Sequence, residues 1–92
     1  MKVKTKSGTI YELTDIKTKT SKEFYAYWND YYIGITKEKP IEKGDKRWYI
    51  QCTHPDGCYI YDGYFHGTFT EALKDVFWNI ELPWNQDLVG KE

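Results

Sequence analysis

From Glu23 to Thr36 apolar and polar positions sort cleanly once Asn29-Asp30 is read as a two-residue turn, which residues of those types tolerate. Such a turn sets Trp28 opposite Tyr31, Ala26 opposite Ile33 and Phe24 opposite Ile35, and opposed residues share a face. That face is wholly apolar. The other carries Glu23, Tyr25, Tyr27, Tyr32, Gly34 and Thr36, so tyrosine stands where a half-buried strand usually has a polar residue. A one-residue slip would mix the two sets.

A second pairing is predicted between Trp48–Thr53 and Cys58–Tyr64, around His54-Pro55-Asp56-Gly57. Proline suits the first central position of a type I turn and glycine the left-handed position after it. With His54 paired to Gly57, one face collects Trp48, Ile50, Cys52, Tyr59 and Tyr61. Tyr49, Gln51, Thr53, Cys58, Ile60, Asp62 and Tyr64 fall on the other, which separates the two cysteines and disfavours a disulfide between them. Upstream, residues 1–6 and 9–16 read as strands around Ser7-Gly8, while Lys17–Lys22 and Lys37–Lys46 read as polar loops.

After His66-Gly67 the period changes. Phe69, Ala72, Leu73, Val76, Phe77 and Ile80 recur at helical spacing, with Thr70 as an N-cap or Thr68 and Glu71 as a capping box, and Pro83 as terminator. The tail Trp84–Glu92 contains Trp84, Leu88 and Val89, enough to dock. The sum is an α+β fold in a single domain, residues 1–92: an antiparallel sheet of about five to six strands built from hairpins, followed by one C-terminal helix packed on one face.

Charge adds polarity along the chain. Residues 1–22 hold six lysines against Glu12 and Asp15, for +4, and residues 48–92 hold Lys74 and Lys91 against seven acids, for −5. The net of −1 excludes neither nucleic acid nor protein as a partner. No apolar run has the length of a membrane span and the N-terminus lacks a signal-peptide core, so no membrane association and a cytoplasmic location are expected, with Cys52 and Cys58 as free thiols.

Candidate chemistry is sparse. Cys52, His54, Cys58 and His66 are the one group of metal-ligating types, but their spacing and faces do not suit a tetrahedral knuckle, so neither metal nor cofactor is expected. A Cys–His pair has no orienting third group, carboxylates on turns and helix surfaces are ordinarily solvated, and no glycine-rich phosphate loop is present. The chain reads as a non-enzyme.

The better signal is surface. Tyr25, Tyr27, Tyr32, Tyr49 and Tyr64 fall on the sheet face that a single helix leaves uncovered. Trp78 lies across the helix from its apolar stripe, among Lys74, Asp75 and Glu81. Tyrosine offers large contact area at small rotamer cost, which suits a protein interface. The reading is therefore a small protein-binding module, with Glu71, Asp75, Glu81 and Asp87 as the acids that would complement a basic, nucleic-acid-handling partner. In size, compactness and lack of catalytic motifs the chain is similar to the small inhibitors carried by phages and mobile elements, anti-CRISPR proteins among them; the similarity rests on no shared motif and carries over no residue. The alternatives are a single-stranded nucleic-acid binder with Lys2, Lys4, Lys6, Lys17, Lys19 and Lys22 as its electrostatic half, or a sponge for a small nucleotide. A homodimer through the tyrosine face is compatible with each.

Overall fold

The computed structural model describes residues 1–83. Seven strands precede one helix: β1 (Lys2–Lys4), β2 (Ile10–Glu12), β3 (Asp15–Lys19), β4 (Glu23–Trp28), β5 (Tyr31–Glu38), β6 (Arg47–Thr53), β7 (Tyr59–His66) and α1 (Phe69–Glu81). β3 to β7 form a five-stranded antiparallel meander in sequence order, β1 and β2 pair only with each other, and α1 packs on one face of the larger sheet. The α+β architecture expected from the pattern is the one observed. The tail proposed to dock, with Trp84, Leu88 and Val89, lies outside the described residues.

The β4–β5 register is that of the sequence reading: Trp28 opposes Tyr31, Ala26 opposes Ile33 and Phe24 opposes Ile35. Asn29 and Asp30 both take positive φ (47° and 66°), as a type I′ turn requires, and its twist matches that of the flanking strands. Phe24, Ala26, Ile33 and Ile35 consequently lie buried beneath the helix with Ile50 and Cys52 from β6.

The β6–β7 hairpin departs from expectation in an instructive way. His54 pairs with Cys58, not Gly57, through His54 N–H to Cys58 C=O (2.8 Å), leaving a three-residue loop whose last member, Gly57, has φ 98°. That one-residue offset exchanges faces at once. Tyr59 opposes Thr53 and is exposed, whereas Ile60 packs against the core, the reverse of the sequence reading. A bulge beyond Thr53 then adds a second residue, so that Cys52 opposes Tyr61 and the expected face assignment resumes from Tyr61 onward. Cys52 and Cys58 are therefore separated by burial and not by sheet face: Cys52 is enclosed, Cys58 is exposed at the turn, and both are free.

Two further expectations are corrected. Lys17–Lys22 is not all loop, since Asp15–Lys19 forms the edge strand β3, with Ile16 and Thr18 half-buried between exposed lysines. Lysine-rich polarity marks a protected sheet edge as readily as a loop. The first two residues of Lys37–Lys46 likewise extend β5. The Ser7-Gly8 hairpin forms, but outside the main sheet, and its strand β1 packs alongside α1.

The helix begins at the earlier of the two caps considered. Thr68 Oγ1 accepts from Glu71 N–H (3.1 Å) and Glu71 Oε1 accepts from Thr68 N–H (2.8 Å), a reciprocal capping box. Ala72, Leu73, Val76, Phe77 and Ile80 form its buried stripe. Tyr11 of β2 stacks on Phe77 (4.8 Å between centroids, 20°) and meets Trp28 edge-on (5.1 Å), which seats the small hairpin on the same side of the sheet as the helix. Helix and hairpin thus share one face, and the opposite face of β4 to β7 is covered by no element among the described residues.

Candidate binding surface

The uncovered face is organised by the pleat. Tyr25, Tyr27, Tyr32, Tyr49 and Tyr64 project from it in cross-strand order, Tyr27 opposite Tyr32 and Tyr49 opposite Tyr64. They form two groups. In the first, Tyr25 and Tyr32 lie nearly parallel (6.4 Å, 16°) with Tyr27 tilted against Tyr32 (5.6 Å). Gly34 makes this possible: a Cβ there would stand 2.7 Å from Tyr32 Oη and 3.3 Å from Tyr25 Cδ1, so its absence lets the Tyr32 ring lie flat on the sheet. Burial, followed by the neighbouring phenols of Tyr25 and Tyr27, raises the Tyr32 pKa above its ordinary value.

The second group is Tyr49 with Tyr64 (5.3 Å), over which the Arg47 guanidinium sits 3.9 Å from the Tyr64 centroid. The Tyr49 hydroxyl donates to Asp62, which raises its pKa, and the Tyr25 hydroxyl donates weakly to Glu23 (3.4 Å). Between the groups Gly34 opposes Gln51, and Gln51 opposes Asp62, so small and polar residues separate the two sets of rings. Tyr27 and Tyr64 remain 41% and 54% exposed, which marks them as the rings most available for contact. Sequence reasoning placed Gly34 and Asp62 on this face without giving them a role and missed Arg47, and it buried Tyr59, which stands 69% exposed at its margin. A three-residue count for the Pro55-Asp56-Gly57 loop would have placed Tyr59 correctly.

The remaining candidates do not join it. Trp78 is half-buried on the far side of the molecule, with Lys6 Nζ 4.2 Å from its ring centroid. Around it, Lys4, Lys6, Lys74, Glu71, Asp75 and Phe65 line an open groove of about 370 Å³. Of the four nominated acids, Asp87 lies outside the described residues, and each of the other three has an internal partner. Glu71 closes the helix cap, and the Thr68 amide that it accepts is the main cause of its lowered pKa. Asp75 accepts the Tyr61 hydroxyl (2.6 Å). Glu81 accepts three hydroxyls, from Thr5 (3.0 Å), Ser7 (2.7 Å) and Tyr11 (2.6 Å).

The metal-ligand types are likewise dispersed. His54 is buried edge-on to Tyr31 (5.1 Å) with Nδ1 2.9 Å from Asp56, His66 pairs with Asp45 (3.0 Å), and burial pushes the Cys52 thiol up to about 12. Among the described residues no three His, Cys, Asp or Glu side chains converge as metal ligands, and no helix is long and apolar enough to cross a membrane. Comparison with protein-family models, with curated proteins and with solved structures finds no match to this chain.

Proposed function

We propose that this chain is a small non-enzymatic binding module that engages a protein partner through the open tyrosine face. The observation that carries this reading is the segregation of Tyr25, Tyr27, Tyr32, Tyr49 and Tyr64 onto a sheet face that helix and hairpin both leave free. Rings of this kind offer amphipathic area with few rotors to immobilise. Electrostatics favours protein over nucleic acid. Arg47 is engaged on Tyr64 and Lys17 with Asp15 (2.9 Å), and Glu23 and Asp62 add negative charge. A phosphate backbone needs uncommitted Lys or Arg at the stacking surface.

The inhibitor form of this reading has the chain, phage-borne and anti-CRISPR-like, blocking a nucleic-acid-handling enzyme by presenting phosphate-like charge. It draws less support, because Glu71, Asp75 and Glu81 spend lone pairs inside the fold, and Glu71 and Asp75 share their groove with Lys4, Lys6 and Lys74.

The test compares wild type, a Tyr27→Ala/Tyr64→Ala double variant and a Trp78→Ala variant in affinity capture from the source cell, alongside titration with single-stranded oligonucleotides at several salt concentrations. The reading expects a partner that is retained by wild type and by Trp78→Ala but lost by the double tyrosine variant. Partner lists that do not differ, or oligonucleotide binding that weakens steeply with salt, would sink it.

A further inference from the structure

The larger sheet ends in two unlike edges. β3 is short, carries Lys17 and Lys19, and is interrupted by a register irregularity between Ile16 and Thr18, devices that discourage further strand pairing. β7 lacks them between Ile60 and His66, where Asp62 is the sole carboxylate in an eight-residue strand rich in aromatic rings.

The phase of the β6–β7 ladder follows from the bond between Gly67 N–H and Lys46 C=O (2.8 Å). Because bonded and non-bonded pairs alternate in an antiparallel ladder, Gly63 and Phe65 bond to β6, while the N–H and C=O groups of Asp62, Tyr64 and His66 point away from it. Those outward groups have no hydrogen-bond partner among the described residues. At the strand's centre, Gly63 is unexplained by any of the described residues. It has no left-handed φ, and a Cβ built there would meet nothing within 4 Å. Glycine in a strand interior weakens the strand and commonly marks the close approach of another backbone.

We propose that β7 pairs antiparallel with β7 of a second copy of this chain, about a two-fold axis through Gly63. This register sets Gly63 against its own counterpart at a non-bonded pair, where Cα atoms approach to about 4.5 Å. Asp62 then faces Tyr64 of the second copy, Tyr61 faces Phe65 and Ile60 faces His66, so strand ends match and no like charges meet. Moving the axis to Asp62 would oppose two carboxylates. Moving it to Tyr64 would leave Ile60 without a strand residue opposite. Since Asp62 and Tyr64 belong to the open face, the two tyrosine faces become one continuous surface on a doubled sheet. The pairing is independent of what that surface binds.

Light scattering coupled to gel filtration of the full chain should give twice the 11.0 kDa protomer mass. Gly63→Lys places two ammonium groups face to face across the axis, while the protomer has room for the side chain; the expected result is a monomer with unchanged circular dichroism and a melting temperature that no longer rises with protein concentration. A Gly63→Cys variant in a Cys58→Ser background should form an intermolecular disulfide dimer under mild oxidation, because the opposed Cα atoms fall in the bonding range. A wild type that stays monomeric at every attainable concentration, including one that pairs only with a foreign peptide, would overturn the proposal. So would a dimer that survives Gly63→Lys, or one dispersed by Tyr27→Ala, which would move the interface to the tyrosine face.

Discussion

A carboxylate in the last turn of a helix opposes the macrodipole, and α1 has no basic residue there to compensate Glu81. Three hydroxyls take that role instead. Tyr11, Thr5 and Ser7 all donate to Glu81 from the β1–β2 hairpin, and Thr5 is itself only 3% exposed. Glu81→Ala removes the common acceptor and leaves the buried Thr5 and half-buried Tyr11 hydroxyls to find others. Hydrogen bonds to a charged group contribute about 1.5–3 kcal/mol each when buried; with Glu81 half-exposed and Ser7 free to bond water, about 2 kcal/mol for the set is the expected loss. For a domain of this size that corresponds to a fall in melting temperature of roughly 8–16 °C. Glu81→Gln keeps one carbonyl oxygen for Thr5 and Ser7, while the Tyr11 hydroxyl can turn to accept from the amide, so about half the loss is expected. The pH dependence separates charge from shape. Burial pushes the Glu81 pKa up, but the donors from Ser7, Tyr11 and Thr5 outweigh it and hold the carboxyl below its usual value. A depressed native pKa stabilises the fold above the unfolded carboxylate value, and that stability is lost as pH falls through the native value. The advantage of wild type over Glu81→Gln should therefore be full at neutral pH and vanish in acid. Denaturant melts at both pH values measure it, and hydrogen exchange should show β1–β2 amides loosened before those of β4 to β6. A Glu81→Ala protein that melts within 2 °C of wild type, or loosens the main sheet first, would refute the reasoning.

Gly34→Ala should shift Tyr32 off the sheet, since the added methyl meets the mobile end of that ring; denaturant midpoints should change by less than about 1 kcal/mol while ring NMR shifts of Tyr25 and Tyr32 move and the proposed docking weakens. With a disulfide-exchange reagent Cys58 should react within the native state and Cys52 only on unfolding, giving one fast equivalent, because burial both encloses Cys52 and pushes its thiol up to about 12. Burial first, then the bonds to Glu81 and Asp75, raises Tyr11 and Tyr61 well above the ordinary phenol range. Their contribution is complete below the unfolded tyrosine value of about 10 and is lost as pH rises beyond it, so absorbance titration should show two phenols ionising only with unfolding, and a fully reversible titration of all nine in the folded protein would contradict this.

What could be read from the chain alone follows the strength of local rules. Asn29-Asp30 fixes its hairpin because the turn type, the loop length and the facing apolar pairs all agree, and the α1 stripe from Phe69 to Ile80 is equally determined. The Pro55-Asp56-Gly57 loop shows where such rules weaken. The turn type was legible, but the same residues close a loop of either two or three residues, and the face of Tyr59 depends on that count. A compensating bulge restores Tyr61 and Tyr64 to their expected sides, and no propensity in Cys52-Thr53 announces it. β3 was obscured for a different reason, its lysines being a requirement of position in the sheet and not of local conformation. Glu81 was misleading because its hydroxyl donors lie 70 to 76 positions away, beyond any local pattern.

These long-range bonds bear on why the tyrosine face is free. A five-stranded sheet with one helix has two ways to use a small hairpin: extend an edge or thicken a layer. Here Tyr11 and the Glu81 cluster commit β1–β2 to the helix side, where they enclose Phe77 with Trp28. Among the described residues the opposite face is then left to side chains alone. A merely solvated face would need no more than scattered polar residues with strand propensity, yet this one stacks Tyr25 on Tyr32 over a glycine and Arg47 on Tyr64. Gly34 is the decisive residue, because glycine costs strand stability and here secures a flat ring in return. Rings with few rotors, packed on a sheet, lose little entropy on contact, which is the physical condition that the proposed docking surface requires.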